Sequence, residues 1–211
     1  MIEIDDVSIA MRGRTVLDHC SVTLRAGTIT HLAGANGSGK TTLIRALAGI
    51  QRYSGSIRFD GADVARVRSD LYVCFDDAPL LPYLNGYDNV RTLLGRSISR
   101  ATILGVAPAI AGDKILRMRA SSLSHGERKR VHLVAALASG AHYLVFDEAL
   151  NGVDADTVSA VGIALSRLTA DVTVLFTGHH EGTYGDLTAR RIGIIDRHLV
   201  PTDDLAEGIT A

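Results

Sequence analysis

The stretch Gly34-Ala35-Asn36-Gly37-Ser38-Gly39-Lys40-Thr41 constrains the fold most, because it fits GxxxxGK[ST] and follows an apolar, strand-like run over residues 28–33. A strand that breaks into a glycine turn and then a helix is the local plan of a phosphate-binding α/β protein. The three glycines allow backbone conformations closed to other residues, so that successive N–H groups can face phosphate oxygens. Lys40 adds a point charge. Thr41, with Thr42 beside it, offers a hydroxyl to Mg2+, and residues 41–48 form a good helix whose positive end faces the anion.

A second short apolar run, Tyr143-Leu-Val-Phe, ends in Asp147-Glu148. It reads as a buried parallel strand with acid at its tip. In a P-loop fold such an Asp holds Mg2+ and a following Glu polarises the attacking water. An isolated Asp-Glu pair would read as a solvated strand end; with Lys40 present it reads as a site.

Between these lies Leu123-Ser-His-Gly-Glu127, followed by Arg128-Lys129-Arg130 and an apolar stretch over residues 131–138. Asn151-Gly-Val-Asp154 follows the acidic pair, and Thr177-Gly-His179 follows another apolar strand. With these motifs in this order, the chain resembles the nucleotide-binding subunit of ABC transporters along nearly its whole length. The signature LSGGQ is matched by residues 123–127, the D-loop by residues 151–154 and the switch-histidine loop by residues 177–179. Ser124 caps a helix whose N-terminus, with the Gly126 amide, can bind a γ-phosphate. The resemblance implies that this phosphate belongs to the ATP of an opposite subunit, hence a head-to-tail dimer sandwiching two ATP molecules.

Composition agrees. A chain of 211 residues with 46% hydrophobic content can bury a real core. The net charge is −1 and Lys and Arg are scattered, so nucleic acid is not an expected partner. The most apolar window, residues 131–146, is broken by His132, Ser139 and His142 and falls short of the ~20 residues a spanning helix needs. The N-terminus, Met1-Ile-Glu-Ile-Asp-Asp, is acidic where a signal peptide needs a basic region, so export of the chain is not expected. Cys20 and Cys74 lack metal spacing and read as small buried apolar groups.

The expected fold is α/β: a P-loop core with a mainly parallel sheet, an antiparallel β-layer and a small helical subdomain. The pattern predicts one domain over residues 1–211. Residues 1–75 and 140–211 would form the core and β-layer, and residues 76–139 the Q-loop, short helical subdomain and signature helix. Gly105, Pro108 and Gly112 predict broken helices between residues 100 and 114. After His179, residues 191–196 and 198–200 read as final strands, with no appended regulatory domain.

Three departures from the family pattern matter. Met11 aligns where the family carries an aromatic residue that stacks on adenine; loss of that ring would cost about 0.5–1.5 kcal/mol, unless the thioether or a guanidinium from Arg12 or Arg14 substitutes. The alternative is that Met11 belongs to the core. Asp76, or Asp77 if the loop slips by one residue, aligns with the Q-loop Gln that touches Mg2+; a carboxylate is a harder ligand, so metal binding survives or tightens. His125 and Glu127 replace a signature glycine and glutamine. Glu127 would repel phosphate unless it pairs with Arg128 or Arg130.

The resemblance therefore implies ATP hydrolysis coupled to transport, with ATP and Mg2+ as cofactors. Lys40 and the backbone of residues 34–41 would lie on the phosphates, Thr41, Asp147 and Asp76 on Mg2+, and Glu148 would act as base or water-orienting group. Ser124 and Gly126 would act across the dimer, Asp154 would link the two sites, and His179 would sense the γ-phosphate. The expected partners are a second ATPase subunit, identical or not, and a polytopic membrane permease through which alone the chain meets the cytoplasmic face of the membrane. Two alternatives stay open: a weakly active regulatory subunit of a heterodimer, and a soluble ABC-type ATPase.

Overall fold

The computed structural model describes residues 1–76, 79–106, 108–168, 171–178 and 190–202. Two sheets organise them. The smaller is antiparallel, with order β2-β1-β4, from β1 (Ile2–Met11), β2 (Arg14–Leu24) and β4 (Ser54–Phe59). β1 and β2 are joined by the two-residue turn Arg12-Gly13, both at positive φ (50° and 75°), whose twist suits a tight hairpin. That hairpin projects toward the glycine loop.

The larger sheet comprises β3 (Ile29–Ala33), β5 (Leu71–Phe75), β6 (Tyr143–Asp147), β7 (Thr173–Thr177), β8 (Arg190–Ile195) and β9 (His198–Pro201). Its order is β5-β6-β7-β3-β8-β9, parallel throughout except for β9. Strands covered on both faces are largely apolar and read as near-continuous runs, here interrupted by buried Thr30, His31, Thr173 and Thr177 and ended by Asp147. Tyr143, Val145 and Leu175 join a core with the antiparallel sheet and helix α1 (Lys40–Leu47), while Leu144, Phe146, Val174 and Phe176 join another on the opposite face.

The helical side holds three short helices, α2 (Gly86–Leu94), α3 (Arg100–Val106) and α4 (Asp113–Arg117), and two long ones, α5 (His125–Ala138) and α6 (Ala155–Leu168). The breaks fall where Pro108 and Gly112 predict them. α3 stops two residues before Pro108, and Gly112 is the residue before α4. Buried Tyr87, Val90, Ile103 and Leu116 pin this short-helix layer onto α5. Observed strand limits differ from the sequence reading by about one residue, which is ordinary fraying at element ends. Among the described residues no helix is long and apolar enough to cross a membrane.

Because β3, β5, β6 and β7 are parallel, their C-terminal ends emerge along one edge. Open α/β sheets bind ligands there. In this chain that edge collects the glycine loop after β3, Asp76 after β5, Asp147 at the end of β6 and Thr177 at the end of β7.

Candidate nucleotide site

The loop from Gly34 to Gly39 is held in a shape that side chains would block. A Cβ on Gly34 (φ 155°) would lie 2.6 Å from Ser38 Oγ, and one on Gly39 (φ 113°) 2.9 Å from Val16 Cγ1 of the hairpin. The Ser38 amide donates to the Ala35 carbonyl at 3.1 Å, which closes the turn. Lys40 is 5% exposed, and its Nζ donates to the carbonyls of Gly34 (2.7 Å) and Ala35 (3.1 Å). Its ammonium thus folds back over the mouth of its own loop. Ser38 Oγ is buried without a hydrogen-bond partner among the described residues. An orphaned hydroxyl, a buried ammonium and the free first-turn N–H groups of α1 fit a polyphosphate.

Thr41 Oγ1 donates to Asp147 Oδ1 at 3.2 Å, and Thr177 Oγ1 donates to the same oxygen at 3.1 Å. β7 lies between β3 and β6, so Thr177 stands between the loop and the acid. Thr177 Oγ1 also accepts from the Glu148 amide at 2.9 Å. Burial raises the Asp147 pKa above 3.8, against the lowering effect of the two hydroxyl donors; the nearby Glu148 charge pushes it the same way as burial. A buried carboxylate beside a threonine hydroxyl fits Mg2+, whose charge would replace lost hydration.

Glu148 adopts φ 53°, a left-handed conformation unfavourable for a non-glycine residue by roughly 1 kcal/mol. Its Oε2 accepts from Asn151 Nδ2 at 3.2 Å, and the Asn151 amide donates to the Glu148 carbonyl at 3.0 Å. Lys129 reaches this segment from α5: its Nζ contacts the Asn151 carbonyl at 2.6 Å and an Asp76 carboxylate oxygen at 2.5 Å.

The signature segment is built differently. Ser124 caps α5 in a reciprocal box, its Oγ accepting from the Glu127 amide (3.2 Å) while Glu127 Oε2 accepts from the Ser124 amide (2.8 Å). Those contacts hold the Glu127 carboxyl below the usual carboxylate range, so its charge is absorbed by the helix start. The pairing expected with Arg128 or Arg130 is thereby replaced: Arg128 Nη1 donates instead to the Leu123 carbonyl at 2.7 Å. No hydrogen bond among the described residues joins Ser124 or Gly126 to the 34–42 loop.

Asp154 accepts from the Thr157 amide at 2.9 Å at the start of α6 and pairs with Arg130 of α5. Those partners, the Thr157 amide first, lower its pKa to about 2. Met11 closes β1 at 38% exposure, and its Sδ accepts from Thr42 Oγ1 at 3.6 Å. It is therefore a hairpin-tip residue over the first turn of α1 and not a core residue. His179, like Asp77, lies outside the described residues.

Sequence reasoning missed Thr177 as the bridge between Asp147 and Glu148, Asn151 as the partner of the Glu148 carboxylate, and Lys129. A signal existed for Lys129: with Leu133 and Leu137 it repeats every four residues along the buried face of α5.

Comparison with known proteins identifies the family. The ABC transporter family model matches residues 17–151. The ATP-dependent lipid A-core flippase of Polaromonas sp. is 33% identical over 201 residues, covering 86% of this chain and 34% of the flippase. The spermidine/putrescine import ATP-binding protein PotA of Pseudomonas aeruginosa is 32% identical, covering 99% of this chain and 60% of PotA. The chain thus spans about a third of one relative and three fifths of the other. A dimeric bacterial ABC transporter cassette superposes with a TM-score of 0.83 at 20% identity, over 94% of this chain and 96% of that one, a likeness of fold. Family match, relatives and fold agree: the chain belongs to the ABC transporter family.

Proposed function

We propose that this chain hydrolyses ATP as one half of a head-to-tail pair of cassettes and drives a polytopic permease, with export the favoured direction. The observation that carries the reading is the continuous hydrogen-bonded row Thr41–Asp147–Thr177–Glu148 beside the buried Lys40. Lys40 and the loop amides hold the phosphates. Thr41 and Asp147 hold Mg2+, which when bound neutralises phosphate charge; Asp76 lies at the adjacent strand tip. Glu148 orients or deprotonates the attacking water, held toward it by Asn151, and His179 is assigned to the γ-phosphate. Ser124 and Gly126 present the start of α5 to the partner's ATP, and Asp154 communicates between the two sites. Chemistry here is mainly positioning and charge stabilisation, so a lone chain should be nearly inactive.

Family membership supports the partner and place in this reading. A cleft of about 320 Å³ lined by Asp76, Leu80, Ser121, His125 and Arg128, near exposed Tyr83, is the surface we assign to the permease at the cytoplasmic face of the membrane. The exposed, non-aromatic Met11 and the Asp76–Lys129 pair favour a second reading, a weakly active subunit of a heterodimer.

Glu148→Gln decides between them. The amide keeps shape but loses basicity, so ATP binding should persist, hydrolysis stop, and the dimer accumulate. Size-exclusion chromatography with ATP and Mg2+ is the measurement. A variant that binds ATP normally yet stays monomeric overturns the homodimer and favours an unlike partner.

A further inference from the structure

Lys129 is a buried cation whose contacts converge on two parts of the site, the segment after β5 and the turn after β6. Its side chain is 8% exposed, and Nζ lies 2.5 Å from Asp76 Oδ1, 2.6 Å from the Asn151 carbonyl and 3.5 Å from the Glu148 carbonyl. An ammonium can donate three hydrogen bonds, and three oxygens on two segments surround this one: the Asp76 carboxylate just past β5, and the carbonyls of Glu148 and Asn151 at the two ends of the turn after β6. Phe75 is in register with Asp147, so Asp76 lies one residue beyond the row of the buried acid. A carboxylate there would be drawn to a divalent cation at Thr41 and Asp147 unless another cation held it.

We propose that Lys129 is a positioning residue for hydrolysis: it retains Asp76 as its own counter-ion outside the metal's coordination, and it clamps the backbone from Glu148 to Asn151 so that the Glu148 carboxylate is aimed. The argument rests on the ATPase reading above. Lys129 reaches the site from α5, the helix that also presents Ser124, so the clamp ties the aim of Glu148 to the element that faces the partner. The ammonium is enclosed while the Asp76 carboxylate is 47% exposed, so burial strengthens the contacts to the backbone carbonyls more than the ion pair.

The test is a double-variant cycle with ATP as ligand, titrated calorimetrically once in EDTA and once in Mg2+, and read as the ratio of the two affinities. Asp76→Asn should leave that ratio within about twofold of wild type. Lys129→Met should raise it about five- to tenfold, because the freed Asp76 carboxylate joins the metal, and the double variant should return it to the wild-type value. Affinity in EDTA should be alike in all four proteins. In the double variant, whose metal binding is normal, kcat should still fall about tenfold with KM unchanged, which isolates the clamp. A large loss of the ratio in Asp76→Asn means that Asp76 is already a metal ligand and overturns the proposal. So does an unchanged ratio in folded Lys129→Met, or a wild-type kcat in the double variant. Should Lys129→Met not fold, Lys129→Gln, which keeps a donor but loses the charge, takes its place in the cycle, with the same expected rise in the ratio and the same overturning results. Wild-type protein that binds no ATP even in EDTA would sink the nucleotide reading and this with it; intact binding with a failed cycle sinks only the role of Lys129.

Discussion

On the reading proposed above, the nucleotide site has a phosphate half and a signature half, and the two regions are made from different physical materials. The phosphate half is built from parallel strand tips: Lys40 and Asp147 are buried, and threonine hydroxyls tie the loop, the acid and the Glu148 amide into one row. The signature half is a helix start, complete in itself, with Ser124 and Glu127 satisfying one another. The first half stores unsatisfied chemistry, namely a raised Asp147 pKa, an orphaned Ser38 hydroxyl and a strained Glu148. The second stores almost none. The first region is completed by a ligand, while the second holds its shape without one. That contrast is consistent with the proposed sharing of the site between two chains.

The largest effect should come from breaking each half separately. Lys40→Ala removes the phosphate charge, and Gly126→Asp places a carboxylate at the helix start. In the isolated chain a Cβ on Gly126 meets nothing closer than the Gly152 carbonyl at 3.6 Å, so that variant should fold normally. Each should lower ATPase activity by about a hundredfold or more. Mixed together, they should recover about a quarter of wild-type activity, because half the dimers are mixed and each of those holds one intact composite site. If the mixture stays as inactive as its components, the two halves act within one chain and the comparison collapses.

Much of the phosphate half was legible in the sequence because each role there demands a residue type at a fixed spacing. Gly34, Gly39, Lys40 and Thr41 announce themselves, and the short apolar strands follow from burial on both faces. What could not be read are relations created by strand order. Thr177 bridges Asp147 and Glu148 only because β7 is inserted between β3 and β6, and no local pattern reports that. Lys129 was concealed in a basic triplet that reads as a solvated face, and only its spacing from Leu133 and Leu137 betrayed it. The Glu127 box shows a mixed case: Ser124 reads as a cap from the sequence, whereas the return bond from the Ser124 amide to the Glu127 carboxylate, which absorbs that charge, is seen only in the structure.

A smaller effect sharpens the claim that the phosphate half is strained without ligand. Burial raises the Asp147 pKa, so the native state binds its proton more tightly than the unfolded chain does. Stability contributed by that proton is present at low pH and is lost as pH rises through the raised value. At neutral pH the ionised carboxylate is thus a cost, and Asp147→Asn, which keeps an acceptor for Thr41 and Thr177, should stabilise nucleotide-free protein by about 1 kcal/mol, or about 2–4 °C in Tm. The gap should close on acidification. Adding ATP with Mg2+ should reverse the order, raising the Tm of wild type above that of the variant. Thermal melts at several pH values check this, and a variant less stable than wild type at neutral pH without ligand would show that Asp147 is well solvated or well paired.

The smallest effect concerns where the base is held, beyond either half. Met11 ends β1 at 38% exposure, with its sulfur on Thr42 Oγ1, so the hairpin tip sits against the first turn of α1. A residue there can cover a nucleotide base without any change in the phosphate row. A tyrosine ring in place of the thioether should add stacking of about 0.5–1.5 kcal/mol, so Met11→Tyr should tighten ATP about two- to tenfold. Inorganic triphosphate reports the phosphate half alone and should bind both proteins equally. Calorimetric titration of the two ligands against the two proteins separates base from phosphate. Equal ATP affinities would mean that the base rests elsewhere, and a parallel gain for triphosphate would mean that the substitution acts by tightening the hairpin onto the glycine loop, which joins the base contact to the phosphate half after all.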